Sequence, residues 1–114
     1  MEKRDYLIIL YDLYGELLSD KQKKYFEDYY FQNLSLGEIS ENLGTSRNAI
    51  HKVLQGVEEK LFFYEEKLKL YQKSKIIYAI IDNEKDKKIK RILKEEILED
   101  EIYKWKWLTS RNKE

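Results

Sequence analysis

The sequence predicts an all-α protein: a helix-turn-helix domain of three to four helices, followed by a long C-terminal helical extension. Proline is absent and glycine occurs only four times in 114 residues, so few positions interrupt a helix. Apolar residues recur at steps of three and four along much of the chain, which is the spacing of an amphipathic helix. Hydrophobic residues make up 42% and charged residues 39%, a balance typical of a folded, charge-mixed helical protein.

The first two helices are predicted within residues 4–18 and from Ser19 to about Asn33. The apolar stripe of the first helix consists of Tyr6, Leu7, Leu10, Leu13, Tyr14, Leu17 and Leu18. Ser19 is suited to cap the second helix, because Gln22 follows three residues later as in a capping box. The predicted inward face of the second helix consists of Tyr25, Phe26, Tyr29 and Tyr30.

The segment LSLGEISENLGTSRNAIHKVLQG, residues 34–56, predicts a helix-turn-helix. Gly44 supplies the left-handed turn between the two helices, and Ser46 caps the second helix. The residues predicted to face inward are Ile39, Leu43, Ala49, Ile50 and Val53, with the small Ser40 where the helices cross. Thr45 stands where an apolar residue is more usual, which loosens the packing of the turn without excluding the fold.

The outward face of the second motif helix carries the candidate nucleic-acid contacts, which are Ser46, Arg47, Asn48, His51, Lys52 and Gln55. Arginine can pair with guanine, asparagine or glutamine with adenine, and lysine and the capped helix start can meet phosphate. Alternatively, these are ordinary polar residues of a solvated face, and the motif is a scaffold or contacts protein or RNA. With 22 basic and 22 acidic residues, any nucleic-acid contact depends on a local basic patch.

The second half of the chain carries a heptad-like apolar seam, formed by Leu54, Val57, Leu61, Tyr64, Leu68, Tyr71 and Tyr78. This spacing predicts one helix of about 25 to 30 residues. We therefore expect a helix-turn-helix domain at residues 1–60 and a helical extension at residues 61–114. Because one small domain does not cover so long a stripe, the remainder should pack on the terminal helix or on a second copy, and we predict a homodimer built mainly through residues beyond about 57.

The tail after the polar break at residues 82–88 predicts a last helix that ends near TSRNKE. Residues 84–94 are mainly basic and residues 95–101 mainly acidic, an order that opposes the helix dipole. An antiparallel neighbour would offset this order, and the alternative is a solvated face with local salt bridges. Trp105 and Trp107 cannot both face one seam, so at least one is exposed or bound by a partner, or they cap the long helix.

Composition disfavours several classes of function. Cysteine is absent and His51 is the only histidine, so neither a metal nor another cofactor is expected. No apolar run approaches the ~20 residues that span a bilayer, and the start lacks a signal-peptide layout, so we expect a cytoplasmic protein without membrane insertion. No catalytic residues are predicted and an enzyme is not expected, because neighbouring carboxylates such as Glu65 and Glu66 do not converge on one site.

Residues 19–61, SDKQKKYFEDYYFQNLSLGEISENLGTSRNAIHKVLQGVEEKL, resemble the final DNA-binding region of bacterial sigma factors. With YLIILYDLYGELL before them and YEEKLKLYQK at 64–73, they are more similar to YlxM, a family of small bacterial helix-turn-helix proteins associated with the signal recognition particle. The resemblance covers about residues 4–73. It implies an all-helical, non-enzymatic regulator in the signal recognition particle pathway, an association based on gene neighbourhood beside the particle's GTPase and its receptor.

The leading expectation is therefore an accessory or regulatory protein of the signal recognition particle, with the particle's RNA and GTPase as candidate partners. The chain lacks a GxxxxGKS or GxxxxGKT loop and is not itself such a GTPase. Basic residues that could meet a phosphate backbone, although such runs are usually solvated, are Lys21, Lys23, Lys24, Lys85, Lys87, Lys88, Lys90 and Arg91. The alternative is a DNA-binding transcriptional regulator, whose two-fold dimer places two recognition helices about one DNA turn apart.

Overall fold

The computed structural model describes residues 1–98, and within these residues the regular structure is helical, with no β-strand. The six α-helices are α1 (Lys3–Tyr14), α2 (Asp20–Tyr30), α3 (Leu36–Leu43), α4 (Arg47–Leu68), α5 (Leu70–Asp82) and α6 (Lys87–Leu93). A 3-10 turn, Gly15–Leu17, follows α1, and a π-helical turn, Lys94–Leu98, follows α6. The predicted all-α class is confirmed.

Predictions about the tail and the domain boundary stay predictions. The end of the last helix, residues 99–101 of the acidic block, and both Trp105 and Trp107 lie outside the described residues. The predicted boundary between residues 60 and 61 lies inside α4, so the two predicted parts share one continuous helix.

The Ser19 cap predicted for the second helix is present. Its hydroxyl accepts the Gln22 N–H at 3.2 Å, and the Gln22 side chain accepts the Ser19 N–H at 3.0 Å. The first helix is shorter than predicted, because the chain leaves α1 at Tyr14 and Leu18 is extended where it leads into this cap. The second helix also ends before Asn33, whose φ of 56° lies in the left-handed region.

Helix α4 is the centre of the fold, because α1, α2 and α3 all pack against it. The larger buried cluster joins α1 and α2 to the middle of α4 and consists of Leu7, Leu10, Tyr14, Leu18, Phe26, Tyr30, Val57 and Leu61. Each large apolar side chain buried in this way contributes about 1.5–3 kcal/mol. The predicted inward face of α2 is confirmed, with Tyr29 only half-buried. The first part of the predicted seam is thus covered within the chain.

The prediction of one continuous helix from the motif through Tyr78 is wrong, because the backbone turns at Lys69. Lys69 has φ 57° and ψ 33°, a left-handed conformation that ends α4 and precedes α5. Residues with a side chain adopt this conformation uncommonly. Leu68, predicted to lie in the seam, is 46% exposed, and Tyr71 and Tyr78 lie on a separate helix.

A buried carboxylate holds the turn between α4 and α5. Glu65 accepts the backbone N–H groups of Tyr71 at 3.1 Å and Gln72 at 3.2 Å, donors of the first turn of α5 that have no partner within that helix. The Tyr14 hydroxyl donates to Glu65 at 2.6 Å and accepts the Leu70 N–H at 3.0 Å. Residues from α1 and α4 therefore cap α5 together, in place of a local serine or glycine.

A second polar cluster fixes the approach to α3. The Arg4 guanidinium donates to the Tyr30 carbonyl oxygen at 2.7 Å and to Asn33 Oδ1 at 2.6 Å, and it lies 5.3 Å from the centre of the Tyr30 ring. The Tyr30 hydroxyl donates to Glu58 at 2.8 Å, and Glu58 also pairs with Lys3 at 3.4 Å. These contacts join α1, the end of α2 and the middle of α4.

We expect Tyr14→Phe to lower the free energy of unfolding by about 1–3 kcal/mol, because it removes one of the three hydrogen bonds to the buried Glu65 and leaves the Leu70 N–H without its acceptor. Tyr64→Phe is the matched control: the Tyr64 ring lies 5.8 Å from that of Tyr14, but its hydroxyl makes no hydrogen bond within residues 1–98. Urea unfolding followed by circular dichroism measures both variants. Equal midpoints for the two would contradict the capping role of Tyr14.

Alkaline pH should destabilise the fold. Burial and the hydrogen bond to Glu65 raise the pKa of Tyr14 above its ordinary 10.0, and burial with the hydrogen bond to Glu58 does the same for Tyr30. The unfolded chain therefore loses these protons at a lower pH than the folded chain. The contribution of these groups to stability should be constant up to about pH 9 and decrease as the pH rises past about 10.

Urea midpoints measured between about pH 8 and pH 11 test this expectation. Lysines also titrate in this range, so the comparison with Tyr14→Phe isolates one group. Above about pH 10 the variant should lose stability less steeply than the parent, by up to about 1.4 kcal/mol per pH unit. Identical slopes in the two proteins would show that Tyr14 keeps an ordinary pKa in the folded state.

Candidate nucleic-acid interface

The turn of the helix-turn-helix has the geometry that the sequence predicts. Gly44 has φ 66° and ψ 25°, and its N–H donates to the Ser40 carbonyl oxygen at 2.9 Å. Ser46 then caps the start of α4, and its hydroxyl accepts the Ala49 N–H at 3.2 Å. The glycine and the serine cap therefore fix where α3 ends and where α4 begins.

The inner face of the motif forms the second buried cluster, which consists of Tyr25, Ile39, Ile50 and Leu54. Ile39 and Ile50 are fully buried, as predicted, while Ala49 and Val53 are half-buried. The inward position predicted for Leu43 is wrong: its side chain is 37% exposed, because α3 ends there and leaves the residue at the rim. Leu34 and Leu36 pack against the cluster from the other end of α3.

The outer face of α4 brings the predicted contact residues together. Arg47, His51 and Gln55 follow one another at steps of four, as do Asn48 and Lys52, so all five lie within its first three turns and all are exposed. Within residues 1–98 none of these five side chains makes a hydrogen bond or ion pair. Ser46 differs, because its hydroxyl is already used as the helix cap. The structure thus presents one polar surface with unused donors and acceptors.

The basic residues ahead of the motif already have partners. Lys23 pairs with Glu16 at 3.3 Å, and Lys24 pairs with Asp28 at 3.0 Å. The ammonium group of Lys21 lies 5.7 Å from the centre of the Tyr25 ring. Lys23 and Lys24 would have to leave a carboxylate to contact phosphate, whereas Arg47 and Lys52 would not.

Gly37 also belongs to this surface, although it is not among the contact residues predicted from the sequence. It lies in the first turn of α3, directly beneath the guanidinium of Arg47, and any larger side chain would meet that group. The sequence does contain an indication of this contact. Glycine lowers helix stability, and nothing else in the segment LGEIS explains why a glycine stands within a helix.

Two further features concern other classes of site. Residues 1–98 contain no group of three or more histidine, aspartate or glutamate side chains placed to hold a metal ion. None of the helices in this part of the chain is both long and apolar enough to cross a membrane.

Comparison with known proteins places these features in a family context. Residues 1–101 match the sequence model of a family named UPF0122, with the description "Putative helix-turn-helix protein, YlxM / p13 like". A UPF0122 protein of Caldanaerobacter subterraneus subsp. tengcongensis is 46% identical over 81 residues, covering 71% of this chain and 69% of the relative. One from Thermoanaerobacter sp. (strain X514) is 43% identical over 99 residues, covering 87% and 83%. One from Ureaplasma urealyticum serovar 10 is 45% identical over 94 residues, covering 79% and 95%.

Proposed function

The chain belongs to the UPF0122 family of YlxM/p13-like helix-turn-helix proteins, and from this premise we propose that it is a regulatory protein of the signal recognition particle pathway. In this proposal the outward side chains of Arg47, Asn48, His51, Lys52 and Gln55 on α4 bind the RNA of the particle. The supporting observation is the outer face of α4, where five exposed polar side chains have no partner within residues 1–98. The family is one of helix-turn-helix proteins, and we propose a binding role without catalysis, in the cytoplasm.

The chemistry of this face suits a nucleic acid. Arg47 and Lys52 supply positive charge, and Asn48 and Gln55 supply the paired donor and acceptor that read a base edge. His51 stands between them on the same face and adds ring nitrogens that can donate or accept. Because no carboxylate pairs with Arg47 or Lys52 within residues 1–98, phosphate can approach both without displacing an acidic side chain.

The choice of RNA rests on the resemblance to YlxM. A double-stranded RNA helix has a deep, narrow major groove that side chains do not read, so α4 would contact a bulge, a loop or the backbone. The GTPase of the particle is a further proposed partner. The second candidate function is DNA-binding transcriptional regulation, which the turn at Gly44 favours, because the same turn sets a recognition helix into the major groove of DNA.

We expect Arg47→Ala and Lys52→Ala each to weaken nucleic-acid binding and to reduce the salt dependence of the affinity by about one charge. Lys73→Ala is the matched control, because it removes one exposed lysine from α5, away from the motif. Fluorescence anisotropy across a salt series measures each affinity for signal recognition particle RNA and for random-sequence duplex DNA of about 20 base pairs.

The two nucleic acids separate the two candidate functions. Tighter binding of the particle RNA at matched salt supports the first, and tighter binding of duplex DNA supports the second. If Arg47→Ala and Lys52→Ala bind both as tightly as the parent, α4 is not the interface. A titration of the purified GTPase without RNA tests the protein contact separately.

We also propose that the protein forms a homodimer through its helical extension. On α5, Ile76 and Ile80 lie four residues apart and are 55% and 63% exposed, and on α6, Ile89 and Ile92 are 46% and 44% exposed. Residues three or four positions apart lie on the same face of a helix, and exposed apolar faces commonly mark a protein interface. The basic block at residues 84–94 and the acidic block at 95–101 give a second, antiparallel copy complementary charge.

Sedimentation velocity at micromolar concentration should give twice the 14.0 kDa mass of one chain. Ile80→Lys should shift the protein toward monomer, because it places a charge in the apolar face of α5. Leu17→Lys is the control, since Leu17 is 56% exposed but lies after α1, outside the extension. A monomeric parent protein would contradict the proposal, and equal dissociation in both variants would place the interface elsewhere.

A further inference from the structure

The guanidinium of Arg47 rests on the bare backbone of Gly37. A Cβ atom on Gly37 would come within 2.8 Å of Nη2, 3.1 Å of Cζ and 3.3 Å of Nε of Arg47. All three are atoms of the guanidinium plane. Gly37 is the second residue of α3 and Arg47 the first residue of α4, so the contact joins the starting turns of the two helices of the motif.

This contact holds Arg47 without using its hydrogen-bond donors. Glu38, beside Gly37, directs Oε1 to the Ser35 N–H at 3.1 Å and forms no ion pair with Arg47. The N–H donors of the guanidinium therefore have no acceptor within residues 1–98 and are left for a ligand. A long side chain normally loses rotamer freedom when it binds, and a surface that limits its rotamers beforehand reduces that loss.

Nothing in the backbone of α3 requires glycine at this position. Gly44 is the glycine with positive φ in the described residues, and Gly37 has ordinary helical geometry. Alanine at an ordinary helix position is more favourable than glycine. Glycine and alanine therefore differ here in the space that a Cβ atom would fill. The guanidinium of Arg47 occupies that space.

We propose that Gly37 is a positioning residue for nucleic-acid binding, and that it seats the Arg47 guanidinium for contact with a phosphodiester backbone. This inference rests on the proposed function, since it requires that Arg47 contact nucleic acid. The role of Gly37 is indirect: it touches Arg47 and not the ligand. Its effect on affinity must therefore disappear when Arg47 is removed.

Gly37→Ala tests this role without disrupting the helix. The added methyl group displaces the end of a flexible side chain, so the melting temperature should equal or exceed that of the parent. Affinity for labelled signal recognition particle RNA, and for duplex DNA of about 20 base pairs, should fall about three- to tenfold. Gly56→Ala is the matched control: Gly56 lies inside α4, a Cβ there meets nothing within 4 Å, and affinity should not change.

The double variant Gly37→Ala/Arg47→Ala should bind no more weakly than Arg47→Ala alone. If Gly37→Ala binds as tightly as the parent while Arg47→Ala is weakened, the positioning role of Gly37 is overturned and the proposed function stands. Additive losses in the double variant, or a melting temperature for Gly37→Ala below the parent's, would also overturn it. Unchanged affinity of Arg47→Ala would overturn the proposed function and, with it, the positioning role of Gly37.

Discussion

The buried carboxylate of Glu65, which lies between α1, α4 and α5, determines where the chain turns after the helix-turn-helix. Neither glycine nor proline lies near Leu68 to end α4, and the next residue is a lysine in the left-handed conformation. That conformation costs roughly 1–2 kcal/mol for a residue with a side chain. Glu65 accepts three hydrogen bonds from its surroundings, and a hydrogen bond to a charged group contributes about 1.5–3 kcal/mol. These three hydrogen bonds oppose the strain at Lys69 and stabilise the turn.

The same helix that ends in this cap begins with the proposed interface. Over its 22 residues, α4 carries the exposed polar face at its start, the buried Val57 and Leu61 in its middle, and Glu65 near its end. Arg4, Tyr30 and Glu58 fix the first two helices against it. The contact face therefore lies on a rigid helix whose position is set by other, buried residues. The outward side chains of that face are not needed to hold the helix in place and can bind a ligand.

The features that sequence could predict are those with local causes. Gly44 and Ser46 predicted the turn because left-handed backbone and helix capping depend on residues within a few positions of each other. The break at Lys69 was not predictable in the same way, because the Tyr14 hydroxyl reaches Glu65 across 51 positions in sequence. The heptad-like spacing marks residues that are buried as far as Leu61, but Leu68 is exposed, and spacing does not report whether the helix is continuous.

The candidate site also combines features that local sequence predicts with features that depend on how the helices pack. The outward positions of α4 follow from helical spacing alone, and the structure places all of them on one exposed face. The contact between Gly37 and Arg47 depends on how two helices approach each other, which no local pattern encodes. The exposed Leu43 has a similar cause, because its burial depended on where α3 ends as well as on its distance from Ile39.

The absence of net charge limits how one copy of the protein could bind. Three lysines within α1 and α2 pair with carboxylates, while Arg47 and Lys52 are the basic residues within residues 36–56. Each phosphate contact contributes a salt slope of about −0.7 to −0.9, so two cations release about two counterions, a small electrostatic term. A homodimer would present the pair twice to one nucleic acid, and linked contacts raise affinity without new chemistry. Dimerisation through the exposed isoleucines of the extension would therefore compensate for the small basic patch of the motif.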